Sequence, residues 1–165
     1  MRLRPATADD IGFVLEAEAD SGAAPFIRGG TRAEHEAALT DPSLALLIVV
    51  EDDRAAGFVL LAGIGGPDGG IELRRIVVAR PGRGLGRRAL ALVLEHAFAE
   101  LGAHRVWLDV MTHNERARRA YEAAGFVHEA VRRDALRSSA GYVSLAVMSV
   151  LEREFYAGRK QTERT

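Results

Sequence analysis

Residues 78–90 read "VARPGRGLGRRAL". An apolar run leads into this stretch, Gly82, Gly84 and Gly86 fall at every second position among arginines, and a helix-compatible run leads out of it. Glycine between a strand and a helix leaves backbone N–H groups uncovered at the positive end of the helix dipole, an anion site that suits a phosphate or pyrophosphate. Arg83, Arg87 and Arg88 add charge-assisted contacts. Residues 73–94 hold six arginines and no acid within a chain of formal net charge −1. One basic surface on a near-neutral protein points to a small anionic ligand rather than a polyanion. A solvated turn with a basic helix start is the competing reading of the same residues.

Length and composition narrow the field. The 165 residues fit one domain, over 1–155, with a frayed polar tail at 156–165. Cysteine is absent, which removes disulfides, thiolate metal sites and a cysteine-borne covalent intermediate. The five histidines are scattered without a His-x-x-x-His pair, so no metal site is expected. The charge balance argues against a nucleic-acid binder. No apolar run approaches the ~18 residues of a membrane span, and "MRLRPATADD" turns acidic too early for a signal peptide. The expectation is a cytoplasmic protein.

Outward from the glycines, the order of elements follows. Toward the N-terminus, residues 2–4 read as a short strand. "TADDIGFVLEAEA" has a capping Thr7, acids in its first turn and apolar residues at helical spacing. "SGAAPFIRGG" is a loop, and Thr31 with Glu34 has capping-box spacing at the start of a second short helix. "LALLIVVE" and "AGFVLLAGI" flank the polar turn "DDRA" as a hairpin, and "GGPDGG" turns into "IELRRIVV", giving an antiparallel meander. That last strand breaks the period of two: Leu73 and Val77 are in phase, Ile76 and Val78 are not. Either it is buried on both faces or a bulge near Arg74 and Arg75 shifts its phase.

Toward the C-terminus, a helix is expected over 85–101, with Leu90, Leu94, Ala97 and Leu101 as its stripe and Gly102 as its stop. "HRVWLDVM" then forms a parallel partner for "IELRRIVV" in a βαβ unit. "NERARRAYEAAG" is a third helix, and "FVHEAVR" with "YVSLAVMSVL" supplies two closing strands.

Which anion sits on the glycines depends on the rest of the chain. A P-loop needs Gly-Lys-Ser/Thr, which is absent, and a dinucleotide fingerprint needs Gly-x-Gly-x-x-Gly, whereas the spacing is Gly82-x-Gly84-x-Gly86. A dinucleotide-binding oxidoreductase also normally opens with its βαβ unit and repeats it. In "NERARRAYEAAGF", Asn114, Ala117, Tyr121 and Ala124 share one face, with Asn114 and Tyr121 about 10 Å apart along the axis. That face would line an elongated ligand; equally, it reads as an Asn N-cap with a half-buried Tyr.

Together, "RRIVVARPGRGLGRRAL" and "NERARRAYEAAGF", the latter starting 28 residues after Gly86, resemble the GCN5-related N-acetyltransferase (GNAT) superfamily. The second stretch is similar to its Asn-x-x-Ala-x-x-x-Tyr-x-x-x-Gly-Phe pattern. The glycine loop departs from the family pattern at Pro81, where Gln or Arg is usual. The resemblance implies an α/β (α+β) fold: a mixed, mostly antiparallel sheet with helices on both faces and a splayed parallel strand pair. It implies acetyl-CoA as co-substrate, with the pyrophosphate on amides of Arg83, Gly84, Leu85, Gly86 and Arg87, supported by Arg88. The pantetheine would run between Ile76, Val77 and Val78 and residues 107–110, beside Asn114 and Ala117. A backbone N–H near Val77 or Val78 would polarise the thioester carbonyl. Tyr121 is the implied general acid, and Asp109 is the candidate base with Glu72 as its rival.

The resemblance implies a primary amine as acceptor: a small amine, a polyamine, an amino-acid derivative or a protein N-terminus. "SGAAPFIRGG" and "RRDALRSSAGY" are expected to border its site. The family resemblance also allows a homodimer. A non-catalytic CoA-binding or sensing module is the alternative on the same fold.

Overall fold

The architecture is organised by one irregular strand. The computed structural model describes residues 1–20, 22, 24–79, 84–139 and 141–162. In it β1 (Arg2–Pro5), β2 (Leu44–Glu51), β3 (Arg54–Ala62), β4 (Gly70–Val78), β5 (Arg105–Met111), β6 (Val127–Ser138) and β7 (Gly141–Leu151) form one sheet in the order β1-β2-β3-β4-β5-β7-β6. Every pairing among the described residues is antiparallel except β4 with β5. The expected mixed sheet is therefore present, and the repeated parallel units of a doubly wound dinucleotide fold are not among the described residues.

The broken period of β4 resolves as a bulge. Leu60 faces Arg75 while Leu61 faces Leu73, so Arg74 is an extra residue on β4. Leu73 consequently packs in one core cluster and Val77 in the other, although their even spacing would put them on the same face of a regular strand. The parallel pairing with β5 covers only Gly70 to Glu72 against Arg105 to Trp107. Beyond it the two strands part.

Helices cover both faces. α1 (Ile11–Asp20) and α2 (Arg32–Ala38) lie over a cluster that includes Ile11, Val14, Ile48, Phe58 and Val77. α3 (Leu85–Glu95) and α4 (Glu115–Ala123) lie over the larger cluster around Val59, Leu61, Leu90, Leu94 and Val106. Local chemistry accounts for the punctuation. The β2–β3 turn places Asp52 and Asp53 at φ 49° and 57°, the left-handed pair required by a two-residue hairpin that matches strand twist. At α2, the Glu34 amide donates to Thr31 Oγ1 at 3.2 Å and the Thr31 amide donates to Glu34 Oε2 at 2.7 Å, the expected capping box.

α3 continues through a π-helical turn, His96–Glu100, in which Ala97 and Phe98 are buried, and Gly102 at φ 66° ends it. At the C-terminal end α5 (Glu152–Thr162) follows β7, and Phe155 packs its ring 5.1 Å from that of Phe98. No helix among the described residues is long and apolar enough to cross a membrane.

Candidate active site

The gap between β4 and β5 opens into a cleft of about 1140 Å³, lined by both strands, the starts of α3 and α4, part of β6 and the loop before α2. The chain thus brings its two motifs to one cavity.

At one end stands the start of α3. Gly84 is its N-cap in the left-handed conformation, φ 69° and ψ 14°. The first backbone bond of the helix runs from the Arg88 amide to the Gly84 carbonyl at 3.1 Å, so the amides of Leu85, Gly86 and Arg87 precede the ladder and face outward. A Cβ built on Gly84 meets nothing within 4 Å, and one on Gly86 meets only Val78 Cγ2 at 3.9 Å. Among the described residues no packing demands glycine at 86, so the bare backbone there leaves room for a ligand. Such a cradle fits an anion, and the lining by Gly84, Leu85, Gly86 and Arg87 agrees with the expected cofactor end. Arg83, with Arg80, Pro81 and Gly82, lies outside the described residues. The Arg88 guanidinium pairs with Glu51 of β2 and is not among the residues lining the cleft, so here it ties α3 to the sheet.

Along the middle run Ile76, Val77 and Val78. The Ala79 amide donates to the Ala56 carbonyl at 2.9 Å, toward β3. A Cβ on Gly57 of β3 would collide with the Val77 carbonyl, so Val77 also turns its polar groups toward β3. Alternation along the strand then gives Val78 and Ile76 the N–H groups that face the gap. Of the two expected oxyanion donors, geometry keeps Val78 and sets aside Val77, whose side chain is buried under α1. On the opposite wall the residues are Asp109, Val110 and Met111; Trp107 is not among them, because its backbone is still paired with Glu72.

α4 presents Asn114, Ala117 and Tyr121 to the same cavity. Asn114 Oδ1 accepts the Ala117 amide at 3.2 Å, so the N-cap and lining readings both hold. The Tyr121 ring lies 5.7 Å from that of Phe126, and its hydroxyl has no hydrogen-bond partner among the described residues. Burial pushes its phenol up to about 12, which keeps it protonated throughout the neutral range.

At the far end the cleft is lined by side chains that are paired with one another. Arg74 Nε and Nη2 donate to Glu72 Oε2 at 3.0 and 2.8 Å, and Arg132 Nη1 donates to Asp109 Oδ2 at 3.0 Å. Burial raises the Asp109 carboxyl above its ordinary range, opposed by Arg132 and reinforced by the nearby Glu72 charge. Behind them the buried Glu18 accepts the Gly30 amide at 3.0 Å, sits 3.1 Å from His35 Nε2 and pairs with Arg75 at 3.2 Å. This knot fastens the loop before α2 to the bulge. Phe26 of that loop packs its ring 5.8 Å from His113, at the entry to α4.

Both segments expected at the acceptor end supply lining residues: Phe26, Ile27 and Arg28 from the first, Arg132, Ala135 and Leu136 from the second. Most of the second belongs to β6, which runs on to Ser138 through two register shifts. Sequence reasoning missed Arg132, Arg74 and the Glu18–His35–Arg75 knot as site elements. Their signal, adjacent arginines at 74–75 and at 132–133, becomes specific only when the opposing carboxylates are placed.

Residues 13–126 match the acetyltransferase (GNAT) family, a span that contains both motifs. Two relatives, each carrying the name "Uncharacterized N-acetyltransferase", come from Mycobacterium tuberculosis and Mycobacterium bovis. They are 40% identical to this chain over 90 residues, 53% of this chain and 56% of theirs, so the chain spans about half the length of the curated relatives it matches. Among solved structures, the spermidine N-acetyltransferase of Vibrio cholerae in complex with CoA and spermine aligns with a TM-score of 0.83 at 21% identity. That alignment covers 93% of this chain and 96% of the other, a likeness of fold. With the glycine cradle, the splayed strands and the Asn–Ala–Tyr face in one cleft, and with the family matched over most of its length, this chain belongs to the acetyltransferase (GNAT) family.

Proposed function

We propose that the chain is an N-acetyltransferase that moves an acetyl group from acetyl-CoA directly to an amine. The observation that carries this reading is the single cleft joining the bare start of α3, the outward N–H groups of the bulged β4 and the half-buried Tyr121 phenol. Acetyl-CoA would supply an activated acyl carbon and a thiolate leaving group, held by the amides of Leu85, Gly86 and Arg87 and the Arg87 guanidinium.

The remaining steps belong to this chain's residues. The Val78 amide, with Ile76 next in phase, donates to the acyl oxygen as charge gathers there. The ammonium form of the acceptor loses its proton to Asp109, directly or through a water, and the free nitrogen forms the new N–C bond as the C–S bond breaks. Tyr121 gives its proton to the departing sulfur. The proton lost at the amine balances the one gained at sulfur. Glu72 lies beside Asp109 with one oxygen already bonded twice by Arg74, which favours Asp109 as the base.

Purified protein with acetyl-CoA and a mixed pool of amines tests the reading through amine-dependent release of CoA thiol. Release is expected, and it falls sharply in Tyr121→Phe. A protein that binds acetyl-CoA without any amine-dependent release is a CoA-binding module instead.

A further inference from the structure

The carboxylates of the acceptor end are already matched. Glu72 holds two donors from Arg74, Asp109 holds Arg132, Glu18 holds Arg75, and Glu34 is committed to the Thr31 amide of its capping box. Arg28, exposed on the rim of the same cleft, has no ion pair among the described residues. A polyammonium chain reaching the cleft floor would have to take Glu72 or Asp109 from its arginine, and each one it captured there would strand a guanidinium beside it.

The two pairs on the cleft floor also have an order. Asp109 and Glu72 are near enough for each charge to affect the other, and their arginines arrive from opposite sides, Arg74 from β4 and Arg132 from β6. The acids are therefore inside and the arginines outside. Arg132 makes one bond to Asp109 and its side chain is 56% exposed, so it is the guanidinium most able to turn to a ligand. An amine with a carboxylate a few bonds away satisfies this floor: its ammonium takes the place of Arg132 on Asp109, and its carboxylate takes the released guanidinium in a bidentate pair. No charge is left unmatched.

Resting on the transfer reading above, we propose that the acceptor is a small zwitterionic amine, an amino acid with its carboxylate on Arg132, and not a polyamine. The test is a panel of α- and ω-amino acids, their carboxamides, spermidine and a neutral peptide, each scored by kcat/KM for thiol release from acetyl-CoA. At least one amino acid is expected to exceed its own carboxamide by about tenfold or more, the scale of one charge-assisted contact, and to exceed spermidine. Arg132→Gln brings that ratio to within about threefold and Arg132→Lys restores part of it, as a charge contact requires. Arg133→Gln, next along β6 and outside the cleft lining, leaves the ratio unchanged. Thermal unfolding of each variant checks that it is folded.

Transfer that favours spermidine, the peptide or the carboxamides overturns the assignment and leaves the acetyltransferase reading intact. So does an acid-to-amide ratio that survives in both Arg133→Gln and Arg132→Gln. Failure of the whole panel to release thiol removes the parent reading, and this one with it.

Discussion

The two ends of the cleft are built from different materials. At the α3 end the protein presents backbone: a left-handed glycine, three amides ahead of the helical ladder, and N–H groups of a strand freed by one inserted residue. At the other end it presents side chains locked in pairs across strands and loops. Backbone donors are fixed by local conformation and bind any ligand that offers the same pyrophosphate. Paired side chains are set by distant segments, so they can differ between members of one fold without disturbing it. On the proposed function, the common chemistry belongs to the first end and the choice of acceptor to the second.

Four experiments probe that contrast. Tyr121→Phe removes the group poised between the two ends. It is expected to lower kcat by about 10²–10⁴-fold while the thermal shift with acetyl-CoA persists; a kcat near that of wild type takes the phenol out of the acid's role. Gly86→Ala fills the cradle with one methyl group. Its Cβ meets only Val78 at 3.9 Å and alanine is the better helix former, so the melting temperature holds or rises while acetyl-CoA binding weakens by about tenfold or more. A flexible-turn role for that glycine would instead leave affinity alone.

The third probe is the pH profile. A base whose pKa is raised stays protonated to higher pH, so kcat/KM rises with pH along a limb set by Asp109. Arg132 is the opposing, lowering influence, so Arg132→Gln moves that limb to higher pH, and Asp109→Asn abolishes it. An unchanged limb in Asp109→Asn places the base elsewhere. The smallest effect lies outside the cleft. Arg4 donates to both Asp10 oxygens at 2.7 Å and, with the Thr7 amide, holds that carboxyl well below its usual range. A lowered pKa stabilises the fold above the unfolded value of about 3.9 and loses that contribution as pH falls below it. Asp10→Asn therefore costs about 1 kcal/mol in unfolding at neutral pH, discounted for the partly exposed Arg4, and the difference closes in acid. Activity stays unchanged.

The same division explains what could be read in the sequence. The start of α3 at Gly84, the Asn-to-Tyr face and the Thr31–Glu34 capping box are local patterns, and they fold where their spacing puts them. The bulge was legible as a broken period but not as a bulge, because a strand buried on both faces breaks period too; it took the β3 register to decide at Arg74. The Arg88–Glu51 pair joins residues 37 positions apart, so no local pattern announces it. Trp107 was placed one pairing too far along β5, since the point where parallel strands part is set by the bulge. The Asp109–Arg132 and Glu18–Arg75 pairs close over long loops, and no spacing within either segment announces them.

The central claim, that α3's bare start holds an acyl-CoA pyrophosphate, is tested most directly by thermal unfolding with acetyl-CoA, CoA, NAD and NADP against the wild type and Gly86→Ala. A ligand that binds only the folded state adds about 2.7 kcal/mol at a hundredfold excess over its Kd. The account predicts a shift with acetyl-CoA and CoA in the wild type, much reduced in Gly86→Ala, and none with the dinucleotides. A shift confined to NAD or NADP, or a CoA shift of equal size in both proteins, would contradict it.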